Sequence, residues 1–244
     1  MKYFIYIILI IFFSHCDKFN KPKDYSVISV DTLTTSRWKS DPYNGYGDSI
    51  SFSKDGVYGI SFSGEGCGQN WTGNYKIDSN NKVSLSEGIQ QVKDCAPNMP
   101  KTTCEYKKEE EPLLYEYYLV CNSSKYWNAN TTVPAGKELT FGGIPVITMG
   151  GKQAITIDDV KLRAKPDTNS ESYKCSVEKY MMEGEKPFVP KDIELILLFR
   201  SKEKMKVKNW ENYWYYAYVV TGWYGHCNSP SGEGWLYGEF IKEK

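Results

Sequence analysis

The stretch Tyr213–Val220, YWYYAYVV, decides the fold, together with Gly232–Ile241, GEGWLYGEFI, which follows it closely. Alternate residues of a β-strand point to opposite sides of the sheet, and aromatic and β-branched residues favour strands. Ala217 and Val219 share one side of the first stretch, and their small and branched side chains indicate that this side faces the core. Both stretches are therefore predicted as strands of one sheet.

The opposite side of these two strands is rich in aromatic rings. Because Leu236 is expected to point inward, its neighbours in the second strand point outward. Flat rings give a large contact area at a low cost in conformational entropy, and aromatic platforms bind sugars and peptides. We predict a ligand-binding aromatic groove formed by Trp214, Tyr216, Trp235 and Tyr237. The alternative is that these rings cover one end of a barrel or pack against the rest of the chain.

A similar pattern of short strands and turns extends back towards the N-terminus. The sequence SISFS at 49–53 alternates polar and apolar residues, and KDG at 54–56 is typical of a hairpin turn. Further strands are predicted at Val57–Phe62, Trp71–Ile77, Val83–Ser86, Glu105–Lys107 and Leu114–Cys121. Many short strands within about a hundred residues, with almost no helical periodicity, are typical of a small β-barrel or sandwich. The fold class is therefore predicted to be all-β.

Three spaced elements of the C-terminal part resemble bacterial SH3 (SH3b) domains. The family's opening L-R-x-x-P is matched by Leu162, Arg163 and Pro166, and Phe188–Lys191 and Glu194–Arg200 fit between this element and the next. The closing elements are matched by Trp214–Ala217 and by Gly234, Trp235, Leu236, Gly238 and Phe240. An insertion at 219–232 departs from the family, where a tight turn is usual. The resemblance implies an SH3-like β-barrel over residues 152–244 that binds cell wall or peptide.

The N-terminal part is similar to the small lipocalin-like barrels of bacterial lipoproteins. The similarity depends on SFSKDGVYGISF at 51–62 and NWTGNYKIDSNNKVSLS at 70–86. It implies a small N-terminal β-barrel or sandwich, which we place at residues 25–127. Residues 128–151, rich in threonine and glycine, are then expected to be a connector containing one hairpin.

The N-terminus itself has the pattern of an export signal. Lys2 is followed by an apolar run at 3–13, which as a helix would reach about 16 Å, roughly half of a bilayer core. A signal peptide at 1–15 is therefore favoured over a membrane-spanning helix. Cys16 follows at once, and the junction resembles the relaxed lipoboxes of spirochaete lipoproteins. We expect a lipid on Cys16 and a polar tether at 16–24; the alternative is an ordinary signal peptide with a coincidental cysteine.

Setting Cys16 aside leaves an even number of cysteines, which in an oxidising compartment favours disulfides. If Asn80 and Asn81 turn one hairpin and the acidic run at 109–112 turns the next, antiparallel register places partners opposite each other. The predicted pairs are Cys67–Cys95, Cys104–Cys121 and, by remainder, Cys175–Cys227. A Cys95–Cys104 bridge is the main competing arrangement.

Composition argues against several kinds of chemistry. The 244 residues carry 30 basic and 30 acidic side chains, so there is no electrostatic footprint for nucleic acid. Cysteines in disulfides are neither nucleophiles nor zinc ligands, and His226 is the only histidine after the signal peptide. We read His226 as an ordinary loop residue and expect no catalytic site, no metal and no cofactor.

Together these features predict a non-enzymatic lipoprotein of the bacterial envelope. The lipid would hold it to a membrane, most simply the outer membrane, with the periplasmic or surface face left open. Its SH3b-like domain would bind peptidoglycan or a protein or peptide partner. A second hypothesis is a lipocalin-like carrier or inhibitor, in which the SH3-like domain is structural. A third is an enzyme acting on cell wall, for which no recognisable carboxylate pair is present.

Overall fold

The computed structural model describes residues 24–41, 43, 47–62, 69–78, 80–92, 97–222 and 225–244. The signal peptide, the lipid site at Cys16 and the Cys67–Cys95 pair lie outside these residues. None of the helices in the described ranges is long and apolar enough to cross a bilayer. The regular secondary structure of the described chain is almost entirely strand, with very little helix, which confirms the all-β prediction.

Residues 38–128 form a closed antiparallel barrel. Its strands are β1 (Trp38–Lys39), β2 (Ser49–Phe52), β3 (Val57–Phe62), β4 (Gln69–Asp78), β5 (Lys82–Leu85), β7 (Thr102–Lys108), β8 (Tyr117–Cys121) and β9 (Ser124–Asn128), with β6 (Ile89–Gln90) added beside β4. Successive barrel strands are neighbours, and the pairing of β9 with β1 closes the eight-stranded cylinder. The predicted small N-terminal barrel is thus present. Asn80 and Asn81 both have positive φ in the turn between β4 and β5. Tight hairpin turns need this conformation, and asparagine adopts it more readily than most residues.

A short helix precedes the first strand and packs into the core of the barrel. Helix α1 (Val30–Thr35) begins at Ser29, whose hydroxyl oxygen accepts a hydrogen bond from the Thr32 backbone N–H at 3.0 Å. Leu33 of α1 is fully buried in the barrel core, and its carbonyl accepts a hydrogen bond from Trp38 Nε1 at 3.1 Å. The helix therefore belongs to the barrel's packing.

The second half of the chain is one eight-stranded antiparallel sheet with two small hairpins. Its strands are β10 (Glu138–Phe141), β11 (Ile144–Thr156), β12 (Leu162–Arg163), β13 (Ser172–Tyr173), β15 (Glu194–Ser201), β18 (Trp214–Val219), β20 (Glu233–Tyr237) and β21 (Ile241–Glu243). The order is β10-β11-β15-β18-β20-β12-β13, with β21 also paired to β11. The small hairpins pair β14 (Cys175–Ser176) with β19 (His226–Cys227), and β16 (Met205–Val207) with β17 (Trp210–Asn212). Short 3-10 helices lie at Glu178–Glu183 and Gly238–Phe240.

Strand β11 is bent, and besides β15 its two halves pair with different strands of the sheet. Its pairing with β15 shifts register between Thr148 and Lys152, where Gly150 and Gly151 have φ of +65° and +73°. Before the bend it forms a hairpin with β10, and after it pairs with β21. The stretch 128–151, expected as a connector, therefore contains β10 and continues without a break into the second sheet.

The second sheet is packed on both faces. One face carries the second core, which includes Leu162, Leu197, Ala217, Val219 and Leu236. The opposite face carries a cluster that we call the outer aromatic cluster, whose buried members are Leu114, Val146, Leu198, Phe199, Trp214, Trp235 and Tyr237. Leu114 comes from the loop between β7 and β8. The sequence predicted a strand from Leu114, but β8 begins at Tyr117 because Leu114 leaves the barrel wall to pack on the second sheet.

Two disulfides join neighbouring strands in the described residues. Cys104 and Cys121 are opposite each other on β7 and β8, and Cys175 and Cys227 are opposite each other on β14 and β19. Both predicted pairings are confirmed. Because Cys104 is bonded to Cys121, the competing Cys95–Cys104 bridge is excluded.

Candidate functional site

The four aromatic residues predicted as a groove are neighbours in the fold. Antiparallel register places Trp214 opposite Tyr237 and Tyr216 opposite Trp235 on strands β18 and β20. The ring centroids of the two pairs are 5.2 Å and 5.4 Å apart. Trp214, Trp235 and Tyr237 are only 2–3% exposed, whereas Tyr216 is half-buried. A ligand would therefore meet the edges of this cluster and not its whole surface.

Neighbouring segments cover the middle of the cluster. Phe141, at the end of β10, lies 4.7 Å from Tyr216 and 4.9 Å from Phe199 by ring centroids. From the first barrel, Leu114 is buried in the cluster, and the Tyr43 ring stacks on Tyr218 at 4.4 Å. The packing of the two halves thus uses part of the face that the sequence predicted for ligand binding.

Two cavities remain open at opposite edges of the cluster, and Arg163 lines both. The first, which we call the Tyr216 pocket, has a volume of about 420 Å³ and is lined by Tyr216, Trp235, Phe141, Tyr173, Lys165 and Glu233 among others. The second, the Trp214 pocket, has a volume of about 430 Å³ and is lined by Trp214, Tyr237, Trp210, Phe240, Lys161 and Lys208 among others. Each pocket thus holds one of the two predicted aromatic pairs.

Trp210 belongs to the Trp214 pocket and was missed by sequence reasoning. It is 38% exposed and its ring meets Phe240 edge-on, with centroids 5.4 Å apart. Trp210 lies on β17, directly after the two-residue turn that joins it to β16, with Val207 as its cross-strand partner. The signal that could have found it is the Lys208-Asn209 pair between two short β-like pieces, because asparagine is frequent in tight hairpin turns.

The Arg163 side chain is held in place between the pockets. One of its terminal nitrogens, Nη1, donates a hydrogen bond to the Ser170 carbonyl at 2.7 Å. Partial burial lowers the pKa of Arg163, and the nearby Asp167 carboxylate opposes that effect. The group still carries its charge at neutral pH, because a guanidinium is effectively always protonated in proteins. Arg163 therefore places a fixed positive charge between two aromatic-walled cavities.

Glu233 adds a buried carboxyl to the Tyr216 pocket. It is 5% exposed, and the hydroxyl of Tyr43 donates a hydrogen bond to it. Burial raises the pKa of the Glu233 carboxyl, and its hydrogen bonds only partly offset this. Burial, with Glu233 close by, also raises the pKa of Tyr216. This end of the cluster is thus a hydrogen-bonded contact with the first barrel.

The interior of the first barrel is occupied by its own aromatic side chains. Trp38 meets Phe52 and Tyr106 edge-on, with centroids 6.4 Å and 6.0 Å apart, and Phe52 meets Tyr75 at 5.0 Å. The Tyr75 hydroxyl donates to the Ser53 carbonyl at 2.8 Å, which satisfies it inside the wall. These rings therefore pack against one another in the described part of the barrel core.

His226 lies apart from both pockets. It is on the edge hairpin beside Cys227, its side chain is 60% exposed, and its Nε2 lies 3.5 Å from Glu185 Oε1. Among the described residues, no three His, Cys, Asp or Glu side chains are grouped so that they could hold a metal ion.

Comparison with known proteins found no matching family model, no matching curated protein and no matching solved structure.

Proposed function

We propose that this chain is a non-enzymatic binding lipoprotein of the bacterial envelope, anchored by a lipid on Cys16. Its second sheet would bind peptidoglycan, or otherwise a protein or peptide partner, at the Tyr216 and Trp214 pockets. The observation that carries the proposal is the arrangement of these pockets, each walled by one aromatic pair, on either side of the Arg163 guanidinium, which lines both.

The three elements on which the SH3b resemblance depends are strand neighbours, which supports the proposal. Arg163 of the first element pairs directly with Trp235 of the third, and Trp235 pairs with Tyr216 of the second. Residues that are far apart in the sequence thus meet on one face. An SH3b-like domain implies cell-wall or peptide binding, and the pockets have the composition that such a ligand requires.

Aromatic walls and a fixed cation suit an extended polar chain. Ring faces pack on sugar rings and on apolar side chains, and the exposed Trp210 offers such a face at the mouth of the Trp214 pocket. The packing of aromatic rings inside the first barrel favours this role over that of a lipocalin-like carrier. A carrier would need an internal cavity, whereas Trp38, Phe52 and Tyr75 pack against one another inside this barrel.

The anchoring part of the proposal depends on Cys16. Two or more acyl chains give stable membrane residence, and each buried methylene contributes about 0.8 kcal/mol. Expressed with its signal peptide, the chain should incorporate labelled fatty acid and fractionate with membranes. Cys16→Ser should remove the label and release the protein, and persistence of the label in that variant would contradict lipidation at Cys16.

The binding part can be tested with residues 17–244, which retain every residue that the structure describes. We expect this fragment to co-sediment with purified insoluble peptidoglycan, and Trp210→Ala to weaken binding by about tenfold or more, since a well-placed aromatic contact contributes about 1–2 kcal/mol. Met205→Ala is the matched control, because Met205 is 41% exposed on the partner strand of the same hairpin and lines neither pocket.

Three results would count against the proposal. If the parent fragment does not sediment with peptidoglycan, that ligand is wrong and a protein partner takes its place. Equal binding by the Trp210→Ala variant and the parent would exclude the Trp214 pocket. Release of soluble fragments from the peptidoglycan during incubation would favour the enzyme hypothesis instead.

A further inference from the structure

The two pockets are bordered by a row of cations, which we call the basic ridge: Lys161, Arg163 and Lys165. Lys161 lines the Trp214 pocket, Lys165 lines the Tyr216 pocket, and Arg163 between them lines both. Leu162 points the other way and is fully buried in the second core. The ridge therefore crosses the face from one pocket to the other.

The cations of the ridge are not neutralised by ion pairs within the described chain. Elsewhere Lys152 pairs with Glu243, Lys186 with Glu183 and Lys244 with Glu194. No described carboxylate lies within ion-pair distance of the ridge lysines or of Lys208, which also lines the Trp214 pocket. Lysines that are exposed and unpaired beside a cavity leave their charge available to a ligand.

The carboxylates on this face are engaged in local hydrogen bonds. Asp159, in the Trp214 pocket, accepts from the Lys191 backbone N–H at 3.0 Å. Asp167, whose charge acts on Arg163, accepts from the Asn169 backbone N–H at 2.9 Å. Glu233, in the Tyr216 pocket, is held by Tyr43. These hydrogen bonds hold the carboxylates in their own loops. The linings of the two pockets together contain four cations, counting Lys208, and two carboxylates, Asp159 and Glu233, so the lining is net positive.

The guanidinium of Arg163 also has donors to spare. It has five N–H groups in a planar fork, and the described chain accepts one of them, through the Ser170 carbonyl. That bond restrains one arm of the fork and leaves the other donors for a ligand. A planar fork binds a carboxylate through two parallel hydrogen bonds, whereas a lysine acts as a point charge.

We propose that the two pockets together bind one acidic peptide chain. A free carboxylate of the peptide would lie on Arg163, and the groups on either side of it would enter the Tyr216 and Trp214 pockets. This inference rests on the proposed function, and in peptidoglycan the carboxylate-bearing stem peptides would be the ligand. The fork of Arg163 would take one carboxylate, and Lys161 and Lys165, which line the pockets on either side, would favour further negative charge on the same chain.

The test uses soluble muropeptides released from purified peptidoglycan, in native form and with their carboxyl groups converted to amides. Binding to residues 17–244 is measured by titration calorimetry. We expect amidation to weaken binding at least tenfold. Arg163→Gln should weaken binding of the native pool to a similar extent and leave binding of the amidated pool unchanged, because the variant and the amide remove the two halves of one interaction.

Two further variants separate charge from packing. Arg163→Lys should recover part of the lost affinity, since it restores the charge without the fork. Arg37→Gln is the control, because Arg37 is an exposed arginine on the first barrel. Circular dichroism and thermal unfolding establish that each variant is folded.

The outcomes distinguish this inference from the proposed function. If native and amidated pools bind equally, the carboxylate is not recognised and the inference is overturned, while peptidoglycan binding stands. Equal weakening of both pools by Arg163→Gln would mean that Arg163 acts through packing and would also overturn it. If neither pool binds the parent protein, the proposed peptidoglycan ligand itself fails.

Discussion

The interior of the first barrel and the outer aromatic cluster of the second sheet are both built from tryptophan, tyrosine and phenylalanine. They differ in how completely the surrounding chain covers the rings. In the barrel, Trp38 and Tyr75 donate to backbone carbonyls of their own domain, and the closed wall leaves no edge. In the second sheet, Trp214 and Trp235 are as deeply buried, but the sheet remains open and cavities form at the rim of the cluster. The two regions have similar composition, so the difference comes from whether the sheet closes on itself. In the closed barrel the aromatic residues contribute to stability alone, whereas at the edge of the open sheet they can also contact a ligand.

The largest loss of stability is expected for a substitution inside the closed barrel. Trp38 is 1% exposed, and replacing a buried tryptophan with alanine removes its packing and leaves a cavity. We expect Trp38→Ala to lower the free energy of unfolding by about 5 kcal/mol, and Trp210→Ala, on the open side, to lower it by less than about 1 kcal/mol. Urea unfolding measures both. Similar losses in the two variants would contradict the contrast between the regions.

The disulfides provide a second comparison between the regions. Cys175 and Cys227 close a loop of sequence separation 52, and Cys104 and Cys121 one of 17. Because a longer loop constrains the unfolded chain more, replacing the first pair with alanines should cost about 4 kcal/mol and the second about 3 kcal/mol.

Calorimetric unfolding of the two double variants would measure this difference. A larger loss for the Cys104–Cys121 pair would show that the closed barrel depends on its cross-link more than loop entropy predicts.

The smallest expected effect concerns the contact between the two halves. A Cβ at Gly151 would lie 2.5 Å from Leu114 Cδ1, whereas one at Gly136 would meet no atom within 4 Å. Both glycines have positive φ, so each alanine pays a backbone cost of about 1–2 kcal/mol. We expect Gly151→Ala to cost about 1 kcal/mol more than Gly136→Ala, because Leu114 must move. Equal melting temperatures for the two variants would mean that Leu114 contributes little to the packing.

Local pattern was enough to predict much of this molecule. The period of two in Trp214–Val219 separated core from outer residues, and turn residues such as Asn80 and Asn81 marked the hairpins. Hairpin register then brought Cys104 opposite Cys121. These features depend on residues close in sequence, where backbone geometry leaves few choices.

The residues of the candidate site could be predicted from the sequence, but their exposure could not, because exposure depends on residues distant in sequence. The sequence singled out the four aromatic rings and placed them on one face. It did not reveal that Leu114 and Tyr43 from the first half would pack on that face, nor that Trp210 would be exposed beside it. Contacts between distant segments depend on how the two halves pack, which no local periodicity encodes.

By itself the sequence determined the all-β class, the two described disulfides and the residues of the aromatic face, because strand alternation and hairpin register are set by neighbouring residues. Only the tertiary structure decided how much of that face stays open. The packing of Phe141 and Leu114 buries its middle, and Arg163, brought between strands β13 and β20, divides the remainder into two pockets. The burial of a side chain depends on every segment that packs against it. The accessible part of the site can therefore be identified only from the complete tertiary structure.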